Sequence, residues 1–359
     1  MFEIVSEGNV YVTKPGTGKA AGSRTAVLPD GRLACTFMMN AKTGANQFVP
    51  MIAYSSDLGE TWSEAKCLFP DKVGKESIFG AIRNTLDGRV SFAGTTTPIN
   101  SPDEMFWSDE LGAMLENKVM FTISEDGVSF PAPKVVDLPY YGSAELPGGM
   151  LVEENGAISI LYSPYRAIEM REDTDVCQMT ILKSTDGESF TSLNVARADA
   201  PCQYGEAWLV KLKNGVQVIS TWQTARTEGS DQYLLSFDGG ESFSEPMPFP
   251  FNGQSTAAEP YGEDEVLIIY NQRKTAPIGV WVARARVEGK DLRIIANECI
   301  WEAKQATKNQ SGADFDQWTS FAFGEPHIRV LPTGELLATL WYDQNGTEGI
   351  RFVKIKVKK

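Results

Sequence analysis

The chain has 359 residues, 42% hydrophobic and 22% charged, with a formal net charge of −14. That balance is ordinary for a folded globular protein, and the negative charge argues against nucleic acid and anionic membrane surfaces as partners. An anionic ligand would have to be drawn in by a local basic cluster. The five cysteines are odd in number, widely spaced and without metal-ligand spacing, which reads as free thiols in a reducing compartment. The N-terminal stretch lacks the basic and apolar regions of a secretion signal, and no run is long and apolar enough to cross a membrane. A cytoplasmic location is expected, unless a leader has been removed, with no metal and no cofactor.

In chain order, a strand near Val10-Tyr11-Val12 comes first. Six copies of one pattern follow: an opening, an apolar strand, a tight turn and a second apolar strand. They are Arg24 to Leu33 around Asp30-Gly31, Gly80 to Val90 around Asp87-Gly88, and Glu145 to Ile158 around Asn155-Gly156. The others are Glu206 to Val218 around Asn214-Gly215, Glu259 to Leu267 around Glu263-Asp264, and Glu325 to Leu336 around Thr333-Gly334. Asn-Gly and Asp-Gly between apolar alternations are strong hairpin signals. Insertions break the rhythm at Thr95–Gly112, Pro164–Asp175 and Trp301–Ser320. Insertions of this length in a compact repeat fold usually carry function or lack order. No stretch reads as a long helix.

A second phrase recurs after the first four hairpins: Ser55-Ser56-Asp57-Leu58-Gly59-Glu60-Thr61-Trp62, Ser124 to Phe130, Ser184 to Phe190, and Ser236 to Phe243. The middle two copies are one residue shorter, so their turns should differ slightly. Asp accepts bonds from backbone N–H groups ahead of it, Gly supplies positive φ, the hydroxyl adds a local bond and the aromatic buries its ring. The phrase resembles the Asp-box of the sialidase superfamily, which joins the outer strands of propeller blades on the side away from the pocket. The resemblance implies an all-β, six-bladed β-propeller spanning residues 1–359 as one domain. Strands Gly279–Ala283 and Ile350–Ile355 fall among the outer strands of blades five and six, which lack the phrase. The first strand should pair with the last blade and close the ring, removing exposed sheet edges.

In a propeller the innermost strands converge on one funnel. Their opening residues are Arg24, Gly80 with Arg83 nearby, Glu145, Glu206, Glu259 and Glu325. So many glutamates at equivalent positions need basic residues or a ligand to offset them. Strand alternation would put His327, the chain's single histidine, on the same side as Glu325.

The sialidase resemblance aligns Arg24 and Arg226, with Arg273 more loosely, to the family's carboxylate-binding arginines. The family's nucleophilic Tyr is replaced by the stretch Phe323-Gly324-Glu325-Pro326-His327. The loop Asn40 to Gln47 holds no acidic residue where the family has its acid/base Asp. Glutamates would then do the chemistry, as in exo-arabinanase-type enzymes on a similar ring: Glu206 with Glu145 or Glu325, and His327 as a further acid or base. Arg24, Arg83, Arg166, Arg226, Glu259, Arg273 and Tyr342 are the candidate substrate-binding residues. The leading expectation is a glycoside hydrolase acting on an acidic or exo-terminal sugar, with an oligosaccharide or small sugar as partner. Two alternatives stay open: a uronate oligosaccharide lyase with His327 as base, and a non-catalytic glycan-binding propeller.

Overall fold

The computed structural model describes all residues except 109, 141, 170–174, 201, 225–228, 309–319 and 359. It is a β-propeller of six blades in a ring. Blade one is Lys19–Val27, Leu33–Asn40, Val49–Ser55 and Lys66–Cys67, from the inside outward. Blade two is Glu76–Asn84, Val90–Pro98, Lys118–Ser124 and Lys134–Val136. Blade three has an interrupted inner strand, Ser143–Glu145 and Met150–Val152, then Ile158–Tyr165, Gln178–Ser184 and Thr191–Arg197. Blade four is Tyr204–Lys211, Gln217–Gln223, Asp231–Ser236 and Met247–Pro248, and blade five is Gln254–Tyr261, Glu265–Gln272, Gly279–Glu288 and Asp291–Glu302. Blade six takes Phe323–Val330, Leu336–Gln344 and Thr347–Val357, and its outermost strand is the N-terminal Phe2–Val12. Tyr11 lies opposite Ile350 and Val12 opposite Gly349, so the two ends of the chain close the ring as expected.

The inner hairpins of blades one, two, three, four and six share one turn. In blade one the Leu28 N–H donates to Arg32 O at 2.7 Å and the Gly31 N–H to Leu28 O at 2.9 Å. The same pair of bonds recurs at Thr85 and Arg89, Glu153 and Ala157, Leu212 and Val216, and Leu331 and Glu335. Apolar side chains fill the spaces between blades. One buried cluster joins blades one and two, another two and three, another three and four; a large one spans four to six, and a last one joins six back to one. Each wedge can bury its faces only against its neighbours, so the core is a ring of seams. The sole helical turn among the described residues is Pro70–Lys72. The cysteines are unpaired, and no helix among the described residues is long and apolar enough to cross a membrane.

The Ser-x-Asp phrases sit where the third strand of each of the first four blades ends. Ser55 Oγ accepts the Gly59 N–H at 2.8 Å and donates to Asp57 Oδ1 at 2.7 Å, and the Thr61 N–H donates to the same carboxylate at 2.9 Å. The Thr61 hydroxyl, then the Thr61 N–H and the Ser55 hydroxyl, hold the Asp57 carboxyl down to about 2. The longer copies carry two successive left-handed residues, Leu58 and Gly59 or Gly239 and Gly240, and the shorter ones a single glycine, Gly127 or Gly187. The extra residue therefore adds one left-handed step to the turn. Trp62 Nε1 closes the first copy by donating to Gly59 O at 3.0 Å.

Replacing Ser55 with Ala leaves the buried Gly59 N–H without its acceptor. We expect a loss of about 1–3 kcal/mol of unfolding free energy in urea titrations. Any activity at the opposite end of the strands should be unchanged.

Candidate functional site at the mouth of the ring

The register of the inner strands decides which side chains meet. In blades one, four, five and six the pairing slips between the first and second strands, after Ala21, Gly205, Gln254 and Gly324. It resumes at Arg24 opposite Thr36, Trp208 opposite Ser220, Ala257 opposite Ile269, and His327 opposite Thr339. Each slip is a β-bulge whose first residue has a left-handed backbone: Gly22 (φ 64°), Glu206 (φ 47°), Ser255 (φ 62°) and Glu325 (φ 44°). A bulge re-aims the side chain it carries, and left-handed non-glycine residues concentrate at functional sites.

This register corrects the sequence alignment in three places. The shared opening slot is Gly22, Glu206, Ser255 and Glu325, so Arg24 lies one layer deeper, level with Trp208 and His327. Glu259 is deeper again, level with Arg329. The bulge also breaks the alternation that was to place Glu325 and His327 side by side. Sequence counting missed these points because a bulge adds a residue without changing the apolar pattern.

The mouth holds three carboxyl groups. Glu145 ends the first half of blade three's inner strand, ahead of a break through Gly148 and Gly149. A Cβ on Gly148 would lie 2.9 Å from Ala207 O, so the break packs tightly on blade four. There the Glu206 N–H donates to Glu145 Oε2 at 2.8 Å. Glu206 receives Trp222 Nε1 on Oε2 at 2.8 Å and the Ser255 hydroxyl on Oε1. Glu325 lies across from them, its Oε1 4.0 Å from Arg24 Nη2. A narrow cleft reaches Glu325 past Phe48, Trp341, Lys19 and Lys308.

Burial raises all three carboxyl groups. Burial, followed by the Glu206 charge, lifts Glu145 to about 8. Burial lifts Glu325 to about 7 against the opposing pull of Arg24. Glu206 is raised by burial but held back by Ser255, Arg273, Trp222 and Arg24. The environments thus differ in kind: Glu206 is surrounded by donors and cations, whereas Glu145 accepts one backbone N–H beside two other carboxyl groups.

The arginines are largely spent on the protein. Arg24 is 2% exposed. Its Nε donates to Pro147 O at 3.1 Å, and its Nη1 donates to Ser23 O at 2.8 Å and Glu325 O at 3.2 Å. Its guanidinium stacks 5.2 Å from the Trp208 ring. Because Arg24 belongs to blade one and Trp208 to blade four, this contact crosses the ring and plugs the channel beneath the carboxyls. Arg273 donates to Gln254 Oε1 at 3.1 Å and to Phe323 O, with its guanidinium 3.8 Å from the Phe321 ring. Arg226 lies outside the described residues.

His327 packs on Trp208 at 5.3 Å between ring centroids, and its Nδ1 accepts the Thr25 N–H at 3.2 Å. Burial, reinforced by Arg329, Arg24 and Arg83, pushes it well below the usual imidazole range. It is a neutral group of the second layer. In the third layer Glu259 takes Arg329 Nη1 at 2.9 Å and the Val330 N–H at 3.2 Å, and the buried Arg83 stands close enough to feel both charges.

Arg166 is exposed on the loop after blade three's second strand, where its carbonyl accepts the Met114 N–H at 3.0 Å. Tyr342 donates to Asn9 Oδ1 at 2.9 Å and lines both the cleft that reaches Glu325 and a cavity of about 700 Å³, with Trp301 and Arg351, between the outer strands of blades five and six. Of the three insertions, the first packs Phe106 on Phe48 at 5.6 Å and Trp107 on Tyr165 at 6.1 Å, beside the mouth. Trp318 of the third lies outside the described residues.

Sequence reasoning missed Trp208, Trp222, Ser255 and Arg329. One signal was present. Gly205-Glu206 faces Trp222 as Gly324-Glu325 faces Trp341, each tryptophan directly opposite the glycine. A Cβ on Gly205 would sit 3.1 Å from Trp222 Nε1, so the glycine makes room for the indole beside the glutamate.

With this geometry in hand, comparison with solved structures is informative. A protein of unknown function from Dyadobacter fermentans DSM 18053 superposes with a TM-score of 0.76 at 18% identity, over 99% of each chain. The sialidase-like fold is shared. The Hadza microbial sialidase Hz136 superposes at 0.65 and 14% identity, over 94% of this chain and 66% of that one. The α-L-arabinofuranosidase Arb93A of Fusarium graminearum gives 0.62 and 14%, over 98% of each. No protein-family model matches the chain, and no curated protein matches it. The neighbours establish the sialidase-like propeller as the architecture.

Replacing Glu259 with Gln leaves the buried Arg329 and Arg83 without their carboxylate. We expect a loss of about 3 kcal/mol in urea unfolding, far more than a surface charge would show.

Proposed function

We propose that the protein is a glycoside hydrolase that removes an exo-terminal, uncharged sugar, with Glu145 as general acid and Glu206 as the ionised carboxylate at the anomeric carbon. One observation carries the reading: two buried carboxyl groups on adjacent blades are joined through the Glu206 N–H, and burial raises both, but only Glu206 has two side-chain donors and two arginines opposing that rise. Such a pair is what glycoside hydrolysis requires. Glu145 gives its proton to the departing glycosidic oxygen. Glu206 meets the positive charge developing on the sugar, by direct attack or by activating water. Glu325, across the mouth, is placed to hold sugar hydroxyl groups.

The substrate class follows from the arginines. Arg24 directs three of its N–H groups and Arg273 two at protein oxygens, and three carboxyl groups face the same opening. The carboxylate of Glu206 opposes a second carboxylate there, which favours a neutral sugar over a sialic acid. The recurrent outer turns, similar to Asp-boxes, and the glycosidase neighbours support a carbohydrate substrate. His327 does not suit a lyase base, since its Nδ1 accepts the Thr25 N–H and its ring is buried in the same layer as Arg24.

Glu206→Gln should abolish release of nitrophenol from any aryl glycoside the protein cleaves, with the melting temperature retained. Unchanged turnover would remove Glu206 from the reaction. For wild type, kcat/KM should fall as the pH rises through about 8, where Glu145 loses its proton.

The same shift has a stability sign. A carboxyl raised from 4.5 to about 8 on folding contributes stability at low pH that is lost as the pH climbs between those values. Glu145→Gln has no proton to lose, so its melting temperature should decline less than wild type between pH 5 and pH 8 in thermal scans.

A further inference from the structure

Ser255 occupies the slot that presents Glu206 in blade four and Glu325 in blade six, in the same left-handed conformation. Blade one fills that slot with Gly22, the residue that adopts it without strain. A serine there holds its Cβ in a conformation costing on the order of 1 kcal/mol, so the side chain has to matter. Its hydroxyl donates to Glu206 Oε1, while Trp222 Nε1 donates to the other oxygen at 2.8 Å. The two donors come from different blades, and Gly205 leaves the room that Trp222 needs. Together they place one donor on each carboxylate oxygen. A carboxylate so gripped is fixed in direction and kept as an acceptor.

We propose that Ser255 and Trp222 form a donor clamp that orients Glu206 and holds it ionised, leaving the shared proton of the mouth on Glu145. The proposal rests on the hydrolase reading for its catalytic meaning, but the clamp itself is a property of the free protein. The charged and titratable groups facing Glu206 are Glu145 and Tyr165 from blade three, Glu325 from blade six, Arg24 from blade one, Arg273 from blade five and Asp231 from its own blade. The three carboxyl groups oppose ionisation of Glu206 and the two arginines favour it. The clamp adds two directed hydrogen bonds to the favourable side. Ser255 and Trp222 are therefore positioning residues, acting through the carboxylate rather than on the sugar.

The test titrates Glu206 directly, by carboxyl ¹³C NMR on protein labelled at glutamate, with the signal assigned by its loss in Glu206→Gln. In Ser255→Ala the Glu206 midpoint should rise by roughly one pH unit. The acid limb of the kcat profile on an aryl glycoside should move with it, giving a roughly tenfold lower rate below that limb at nearly constant KM. Ser255→Gly relaxes the backbone yet lacks the hydroxyl, so it should show the same titration shift with undiminished thermal stability. Trp222→Phe keeps a ring in place and removes the other donor; it should shift the midpoint the same way, and it serves if Ser255→Ala does not fold. An unmoved Glu206 midpoint in both the Ser255 and the Trp222 variants would overturn the clamp. So would Ser255→Gly behaving as wild type, since the slot would then need only its backbone shape. A raised midpoint in a protein that turns over no glycoside would uphold the clamp and defeat the hydrolase reading instead.

Discussion

The structure depends on a slip of one residue, made four times, in the innermost strands of a closed ring. At each slip a single residue is turned into the left-handed region. Without it, strand alternation would keep Glu206 on one side with Trp208, and Glu325 with His327. With it, the two glutamates swing to the mouth, and the residue two places on drops into the channel. Arg24, Trp208 and His327 then stack below the carboxyls from three blades. The ring supplies convergence, and the bulges decide what converges.

The channel is consequently layered by charge. Carboxyl groups occupy the mouth, an arginine, an indole and a neutral imidazole form the floor, and a Glu259–Arg329 pair with Arg83 lies beneath. Each layer conditions the one above. Arg24 is held by three backbone carbonyls and still leaves one nitrogen toward Glu325, so its charge is felt at the mouth without its donors being offered to a ligand. A buried cation committed to backbone oxygens acts as a fixed field, not as a hand for a carboxylate.

Much of the architecture was legible in the residues. The Asn-Gly and Asp-Gly turns and the Ser-x-Asp phrases report local backbone geometry, which sequence encodes directly. Closure of the ring by the N-terminal strand followed from the absence of an outermost strand in blade six. The site was legible only in part. Glu145, Glu206 and Glu325 stood out because a carboxylate at a strand opening needs a reason. Glu259 stood out for the same cause and belongs elsewhere, because in blade five the slot is held by Ser255, a residue without a distinctive pattern. Trp208 and Arg329 were invisible because their meaning comes from partners on other blades. Bulges and cross-ring contacts are properties of register, and register is set by the whole sheet.

The most direct test is a crystal structure of the protein grown with a neutral monosaccharide iminosugar. The account predicts the ring nitrogen or anomeric carbon between the carboxyl groups of Glu145 and Glu206, with sugar hydroxyls reaching Glu325. An iminosugar bound only in the groove beside Trp301, with the mouth occupied by water, would contradict it.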